Sequence, residues 1–453
     1  MNTGRRTLAA LIAALSITAV AACSEADTPE AASTTAVPTT RGSGAPEPKA
    51  GDGSVVSKFA GSPWLLGDVP ERATPADSSK PPIKVGFMNI DSGPIAATPE
   101  LHQATDAAIA FINAELGGVG GRPIEIVFCE TDLGVDKAQA CARLMVEQQV
   151  VAVLGGLNLS AGAATKILEE NDIAWVGGIP LDPAEMASPI AFQFSGGAPG
   201  AFVAFADHAA HVLGAKRVAV LYANTPQISV AAVDYGIAML KALDVDVTEI
   251  AFDLTTQDYA SIVQRAAEAS PDAMLVGAAD FACPKVMQAI ADLALDTTIY
   301  MVGSCADAKW IEQVGAEKIA GTIFNIESRV ERTGPYDADI EIYTSVIDQY
   351  GKGVNAKGAA TVAFRGAMNL YAVLTDLGDD PTSAEVIDAF RGAKERKSFD
   401  GYPYTCDGKQ IPELPSLCAS QEVLVSIAAD GQTFSEESDG WIDVPKLVAE
   451  YLR

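Results

Sequence analysis

The sequence predicts an α/β protein whose body folds as two lobes, each built around a doubly wound, mostly parallel sheet. From Pro82 onward, short apolar runs alternate with stretches of helical periodicity, which is the order of elements in such folds. Several apolar runs are continuous rather than alternating, as strands covered by helices on both faces should be. A second series of the same design begins near residue 199, so the 453 residues are expected to form two lobes.

The first series supplies the elements of the predicted first lobe. The residues at 99–114 are predicted to form a helix because apolar positions such as Leu101, Ala104 and Ala108 recur at helical spacing. A Gly-rich turn then leads into a second strand. The expected strands of this lobe include IKVGFMNI at 83–90, the run ending in VFCE at 130, VVAVLGG at 150–156, IAWVGG at 173–178 and IAFQFS at 190–195.

The second series repeats the pattern after residue 199. Its expected strands are RVAVLYA at 217–223, DVTEIAFD at 246–253, DAMLVGAA at 272–279 and TIYMVGS at 298–304. Helical periodicity separates these strands, and His208 and His211 are expected on the surface of the first of these helices. Further helices are predicted over 340–351, 359–378 and 383–393, followed by short strands near the carboxyl terminus.

The charge balance excludes several classes of partner. The chain has 31 Lys and Arg against 59 Asp and Glu, a net charge of −28. Because phosphate contacts need clustered basic residues, DNA and RNA are not expected as partners. With only three His residues, a His-rich metal site is not expected either.

The amino terminus is predicted to be an export signal over 1–22. Arg5 and Arg6 precede an apolar run from Leu8 to Ala22, which is too short to span a bilayer. The run ends in Val-Ala-Ala-Cys23, which resembles a bacterial lipobox and implies lipid attachment to Cys23; the alternative is an ordinary signal peptide followed by a chance Cys. Residues 23–81 are predicted to be a flexible linker, with the alternative that the more apolar stretch 55–70 docks loosely on the body.

Six cysteines remain after Cys23, and an exported protein meets conditions in which disulfides persist. Six cysteines allow 15 pairings, and free buried thiols are an alternative. Local pairing is favoured because each pair would join adjacent elements, namely Cys129 with Cys141, Cys283 with Cys305, and Cys406 with Cys418.

The motifs of common enzymes are missing from the sequence. It has no G-x-S-x-G, no H-E-x-x-H and no P-loop motif. The Gly-rich stretch at 117–121 precedes a strand, whereas a dinucleotide-binding loop follows one. The chain is therefore predicted not to be an enzyme and to need no cofactor or metal.

The order of elements resembles the type I periplasmic binding proteins, specifically the branched-chain amino acid or leucine-binding family of ABC importers. The matching text includes IKVGFMNIDSGPIAATPELHQATDAAIAFINAELGGVGGRPIEIVFCETD and VVAVLGGLNLSAGAATKILEENDIAWVGG. The resemblance covers about 82–453. It implies two Rossmann-like lobes joined by a three-crossing hinge, with lobe one at 82–198 plus 330–426 and lobe two at 199–329 plus 427–453.

The resemblance also implies that a ligand binds in the cleft between the lobes. Strand ends and helix N-termini meet at such a cleft, and closure about the hinge excludes water. In the family, a hydroxyl after the third strand and backbone amides after the fourth bind the ligand carboxylate. The corresponding candidates are Asn158, Leu159 and Ser160 after the third strand, and Ile179 and Leu181 after the fourth, although Leu181 stands where amino acid binders carry Thr. Asp91 and Ser92, in the loop after the first strand, are further candidates in lobe one. Ser160 could instead only cap the following helix.

Lobe two departs from the family pattern. Cys305 stands where the family carries a Glu that pairs with the ligand ammonium, and a disulfide there would leave no anion. Asp280 or Asp307 could substitute. The candidates in lobe two are Tyr222, Gln227, Asp280, Phe281 and Cys305.

The resulting hypothesis is an extracytoplasmic lipoprotein, monomeric and anchored to the cell membrane by lipid on Cys23. It would capture a branched-chain amino acid or related small molecule and pass it to an ABC permease. One alternative is the same fold with a pocket for an amide or a short aliphatic or aromatic acid. Another is a ligand-sensing lipoprotein.

Overall fold

The computed structural model describes residues 53–93, 97–253, 255–278, 282–328 and 338–453. The predicted signal peptide and Cys23 lie outside these ranges, as do Asp280 and Phe281. Two parallel-stranded sheets organise the described chain, which agrees with the predicted α/β class. None of the helices in the described ranges is both long and apolar enough to cross a membrane.

Lobe one is built on a five-stranded parallel sheet, and a small antiparallel hairpin lies before it in the sequence. The hairpin pairs β1 (Pro63–Trp64) with β2 (Gly67–Asp68). The sheet contains β3 (Ile83–Asn89), β4 (Ile124–Glu130), β5 (Ala152–Gly155), β6 (Ala174–Val176) and β7 (Ala191–Phe192). The strand order is β4-β3-β5-β6-β7. β3 lies between β4 and β5, and its apolar side chains are buried on both faces, as its continuous run predicts.

Lobe two is built on a seven-stranded sheet. It contains β8 (Arg217–Ala223), β9 (Asp246–Phe252), β10 (Ala273–Gly277), β11 (Thr298–Met301), β12 (Ile323–Ile326), β13 (Val423–Ile427) and β14 (Phe434–Glu436). The order is β9-β8-β10-β11-β12-β13-β14, with the last two strands antiparallel to their neighbours. The return to lobe two therefore precedes the expected residue 427, because residues 423–426 of β13 already pair with β12.

Helices cover the faces of both sheets. Those up to the start of lobe two are α1 (Val55–Lys58), α2 (Pro99–Glu115), α3 (Val135–Gln148), α4 (Ala161–Glu169), α5 (Pro183–Met186) and α6 (Gly197–His211). Lobe two continues with α7 (Pro226–Val230), a π-helix (Ala231–Ile237), α8 (Ala238–Ala242), α9 (Tyr259–Glu268), α10 (Cys283–Leu293), a 3-10 turn (Gly303–Ala306), α11 (Ala308–Val314) and α12 (Ala316–Ile319). The remaining helices are α13 (Ala338–Tyr350), α14 (Ala359–Leu377), α15 (Ser383–Arg391) and α16 (Val444–Tyr451).

The described residues before lobe one, 53–81, differ in part from the flexible linker predicted for 23–81. Val55, Val56 and Trp64 are buried in the core of lobe one. The Glu115 carboxylate accepts hydrogen bonds from the backbone N–H groups of Val55 and Val56, at 3.1 and 2.9 Å. This carboxylate satisfies two free N–H groups at the start of α1, so the linker expectation fails for this stretch.

His208 also differs from the expectation, because it is buried within lobe two rather than on its surface. Its Nδ1 lies 2.8 Å from the hydroxyl of Tyr300, a buried residue of β11. His211, one turn further on, is exposed and lies beside Asp207.

The three predicted disulfides are present. Cys129–Cys141 joins β4 to α3, with 5.5 Å between the Cα atoms. Cys283–Cys305 joins α10 to the turn after β11, and Cys406–Cys418 closes a loop before the last crossing. The first two bonds link adjacent elements and the third links two positions of one loop, so the predicted local pairing is confirmed.

Candidate functional site

The candidate site is the cleft between the two lobes, at the carboxyl ends of both parallel sheets. Helix α5, which follows β6 in lobe one, contacts α7, which follows β8 in lobe two. The Gln227 side-chain Nε2 lies 3.4 Å from the carbonyl oxygen of Leu159. The loops after these strands therefore face each other, in the position where open α/β sheets bind ligands.

Asn89, at the end of β3, organises the floor of the cleft in lobe one. Its Nδ2 donates to the Asp91 carboxylate at 2.7 Å and to the Thr98 carbonyl at 2.8 Å. Its Oδ1 accepts from the Leu157 backbone N–H at 2.8 Å. Asn89 therefore fixes the loop after β3 against the loop after β5. Sequence reasoning missed this residue, although a polar side chain closing an apolar strand was a signal for it.

Asp91 and Ser92 are brought together with the start of α2 and the end of β4. The second oxygen of Asp91 lies 2.6 Å from the His102 Nδ1. The His102 ring stacks on Phe128, with 3.9 Å between the ring centroids. The Ser92 hydroxyl donates to the Glu130 carboxylate. Both predicted residues thus already have partners from lobe one.

The loop after β5 carries the predicted Asn158, Leu159 and Ser160. The Ser160 hydroxyl donates to the Leu133 carbonyl at 3.1 Å and makes no capping bond to α4. Its single proton is therefore not available to a ligand in this arrangement. The Asn158 Oδ1 accepts from the Ser160 backbone N–H at 3.0 Å, whereas its buried Nδ2 has no hydrogen-bond partner among the described residues. Asn158 is therefore the stronger candidate for a ligand donor.

The loop after β6 carries Ile179 and Leu181. The Ile179 backbone N–H, expected to be available to a ligand, instead donates to the Gly156 carbonyl at 3.1 Å. The two loops pack directly on each other, so this N–H already has a partner within lobe one. A Cβ at Gly178 would lie 2.8 Å from the Gly155 carbonyl carbon, so glycine permits this approach. Leu181 is half-buried against the core of lobe one.

In lobe two, Tyr222 is buried and its hydroxyl donates to the Glu249 carboxylate on the neighbouring strand at 2.6 Å. Burial, together with Glu249, raises the pKa of Tyr222 to about 12. Tyr222 is therefore a neutral hydrogen-bond donor already used within the sheet. Gln227, in contrast, contacts lobe one directly.

In lobe two, the position where the family resemblance implies a Glu is occupied by a disulfide-bonded cysteine. Cys305 is fully buried and bonded to Cys283, so it supplies no negative charge. Asp307 caps α11 by accepting from the Lys309 backbone N–H at 2.8 Å, and the Lys309 Nζ lies 3.1 Å from its other oxygen. Of the two carboxylates considered as substitutes, Asp307 is thus already paired.

Comparison with known proteins identifies the family. The sequence model described as "Periplasmic binding protein" matches residues 82–411, and the chain belongs to this family. Members of the family are binding proteins, in agreement with the expectation that the chain is not an enzyme. No curated protein matches the sequence at a significant level.

Solved structures share the fold. The leucine-binding protein LivK from Thermotoga maritima superposes with a TM-score of 0.66 at 18% identity, covering 79% of this chain and 98% of its own. LivJ from Streptococcus pneumoniae, in complex with isoleucine, has a TM-score of 0.65 at 17% identity and covers 80% and 99%. A solute-binding protein from Rhodopseudomonas palustris, in complex with p-hydroxybenzoic acid, has a TM-score of 0.67 at 19% identity and covers 80% and 98%. The fold is thus that of the type I periplasmic binding proteins.

Proposed function

We propose that the protein is an extracytoplasmic lipoprotein that captures a small organic ligand between its lobes and delivers it to an ABC permease. The observation that carries this proposal is the meeting of Gln227 with Leu159, which brings a strand-end loop of each lobe to one cleft. A ligand enclosed there would contact both lobes at once, so its binding energy would favour the closed arrangement. The protein would act as a monomer.

The chemistry of the cleft favours a neutral or monoanionic ligand over an amino acid. An ammonium group in a desolvated cleft needs a paired carboxylate. Cys305 cannot provide one, Asp307 is engaged by Lys309, and Asp91 is held by Asn89 and His102. The unpaired Asn158 amide, in contrast, suits an acceptor such as a carboxylate or an amide oxygen.

A branched-chain amino acid is the second candidate, and it requires another partner for its ammonium. Two carboxylates, Asp280 and Asp307, were predicted as substitutes for the missing Glu. Since Asp307 is already paired, Asp280, in the segment before α10, is the one left for this role. The solved relatives include proteins in complex with isoleucine and with p-hydroxybenzoic acid, so the fold accommodates both classes.

The experiment that separates these candidates is a thermal-shift series on the mature chain. One panel contains leucine, isoleucine and valine, and the other contains short aliphatic or aromatic acids and their amides. A ligand at 100 times its Kd stabilises the folded state by about 2.7 kcal/mol, which is readily detected. We expect shifts in the second panel. Shifts only in the first panel, abolished by Asp280→Asn, would instead support an amino acid, and no shift in either would contradict both.

Lipid anchoring is tested separately through Cys23. The wild-type protein should fractionate with membranes, and Cys23→Ser should release it while leaving its ligand-induced thermal shift unchanged. Retention of Cys23→Ser in the membrane fraction would contradict attachment at this residue. Because ligand binding and anchoring are measured independently, failure of one leaves the other interpretable.

A further inference from the structure

Three chain crossings join the lobes, and they converge on a set of buried polar residues. The first crossing runs from Phe194 to Gly197, the second leaves β12 at Glu327, and the third runs from Ser420 to Glu422. We name the residues that connect them the hinge cluster, which consists of Ser195, Asn325, Glu327, Arg365 and Glu422. The three charged members are each almost completely buried.

Arg365, from α14 of lobe one, ties the first crossing to the second. Its Nη1 donates to the Phe194 carbonyl at 2.8 Å and its Nη2 donates to the Glu327 carbonyl at 2.7 Å. The Glu327 side chain returns to the first crossing, where its Oε1 accepts from the Ser195 hydroxyl at 2.5 Å and from the Gly196 N–H at 3.1 Å. The guanidinium also lies 3.9 Å from the other Glu327 oxygen, so these two residues form an ion pair.

Glu422 connects the third crossing to the other two. Its Oε2 accepts from the Asn325 Nδ2 at 3.1 Å. Its Oε1 has no hydrogen-bond partner among the described residues and faces the first crossing. A Cβ on Gly196 would lie 2.5 Å from this oxygen, and one on Gly200 would lie 2.6 Å from it. Glycine at both positions therefore makes room for the Glu422 carboxyl.

The hinge cluster contains two carboxyl groups and one guanidinium. Among the described residues, Glu327 and Arg365 are the charged groups that act on Glu422. Burial raises the pKa of Glu422 well above its usual value, and the Glu327 charge raises it further. Burial also raises the pKa of Glu327, but Arg365, Ser195 and Gly196 oppose that effect. Glu327 lies beside Arg365 and accepts two hydrogen bonds, whereas Glu422 keeps one oxygen unpaired, so Glu422 is the carboxyl group that holds a proton more readily.

We propose that Glu422 is a proton-binding positioning residue of the hinge, and that loss of its proton loosens the three crossings. When Oε1 of Glu422 carries a proton, it is a hydrogen-bond donor. The Ser420 carbonyl oxygen lies on the same side of Gly196 as this oxygen, since a Cβ on Gly196 would be 3.0 Å from it. A deprotonated Oε1 is instead an unpaired charge in a water-excluded position, which relaxes by separating the crossings. Ligand capture through lobe closure would then be weaker in alkaline solution, and this consequence rests on the proposed function.

The test uses the ligand-free mature chain, so its outcome does not depend on the ligand being known. Small-angle X-ray scattering gives the radius of gyration from about pH 5 to about pH 9, across the range in which buried carboxyl groups lose their protons. We expect the wild-type radius of gyration to increase with pH. Glu422→Gln keeps a neutral donor at this position, so its radius should stay at the low-pH value throughout.

Glu185 provides a control for buried glutamates in general, because its pKa is also strongly raised but it is not a member of the hinge cluster. Glu185→Gln should leave the pH-dependent expansion intact. A wild-type radius that does not change with pH would overturn the proposal even if Glu422→Gln failed to fold. Expansion that persists in Glu422→Gln, or that disappears equally in Glu185→Gln, would also overturn it. Failure of the ligand panels with a normal expansion would count against the proposed function alone.

Discussion

The side-chain amide of Gln227 lies 3.4 Å from the carbonyl oxygen of Leu159, so lobe two directly contacts the loop after β5 of lobe one. Gln227 follows β8, and Leu159 follows β5. This contact exists only while the two loops face each other closely. It is therefore a local reporter of the arrangement in which a ligand would be enclosed.

Gln227→Ala should weaken ligand binding by about threefold to tenfold, because one net hydrogen bond contributes about 0.5–1.5 kcal/mol. Isothermal titration with the compound that gives the largest thermal shift measures this. Gln257→Ala is the control. Its side-chain amide donates to the carbonyl of Thr255, two residues earlier in an exposed segment of lobe two, and so it makes no contact between the lobes through this bond. Equal losses in both variants would argue against an interlobe role for Gln227.

Asn158→Asp should reduce the affinity for a carboxylate ligand by tenfold or more. The substitution keeps the Oδ1 that accepts from the Ser160 N–H, but it replaces the unpaired Nδ2 donor with a repelling charge. A lost hydrogen bond to a charged group costs about 1.5–3 kcal/mol. The same titration measures the effect, and an unchanged affinity for a carboxylate would exclude Asn158 as its donor.

Gly156→Ala should lower the melting temperature by several degrees. The added Cβ would lie 2.4 Å from the Asn89 Oδ1, which would force Asn89 away from the Leu157 N–H. Overpacking of this kind costs about 1–3 kcal/mol. Differential scanning calorimetry measures the shift, with Gly53→Ala as the control because a Cβ there meets no atom within 4 Å. Similar shifts in the two variants would contradict the steric argument.

Removing the Cys283–Cys305 bond by a double Ser substitution should destabilise the fold by about 2–4 kcal/mol and also weaken ligand binding. The bond fixes the turn after β11, at the cleft end of lobe two. A double Ser substitution of Cys129 and Cys141 breaks a comparable bond in lobe one and serves as the control. We expect it to lower the melting temperature without a similar loss of affinity; an equal loss would mean that the effect is global.

Glu185→Gln should change how stability depends on pH. Burial, with a further effect of Asp182, raises the pKa of Glu185 well above its usual 4.5. The folded state therefore binds more protons than the unfolded state above pH 4.5, so this group lowers stability as the pH rises toward the raised pKa.

The variant should accordingly gain about 2–4 °C in melting temperature over the wild type between mildly acidic and mildly alkaline solution. Glu169→Gln, which alters an exposed carboxylate on α4, should show no such gain. A constant difference between Glu185→Gln and the wild type across this range would mean that Glu185 is ionised throughout.

Much of the fold could be predicted because the parallel strands are continuous apolar runs. β3 and β5 are read directly from IKVGFMNI and VVAVLGG, and the disulfides followed from the spacing of adjacent elements. The antiparallel β13 was found as a strand, but its sheet was not, because pairing with β12 depends on contacts distant in sequence.

The finer geometry of the site was harder to predict from the sequence. Ile179 has the sequence context of an available amide, and only the packing of two glycine-containing loops shows that Gly156 accepts its hydrogen. His208 resembles a surface residue by periodicity alone, because its partner Tyr300 is 92 residues away. The sequence contained no signal for the role of Glu422, since the hinge cluster is assembled from four separate stretches of chain.

The most direct test of the account is the radius of gyration of the mature chain with and without the compound that stabilises it most. If the ligand binds between the lobes and draws them together, scattering at fixed pH should show a smaller radius at saturation, with one ligand bound per chain. A compound that raises the melting temperature but leaves the radius unchanged would contradict capture by lobe closure.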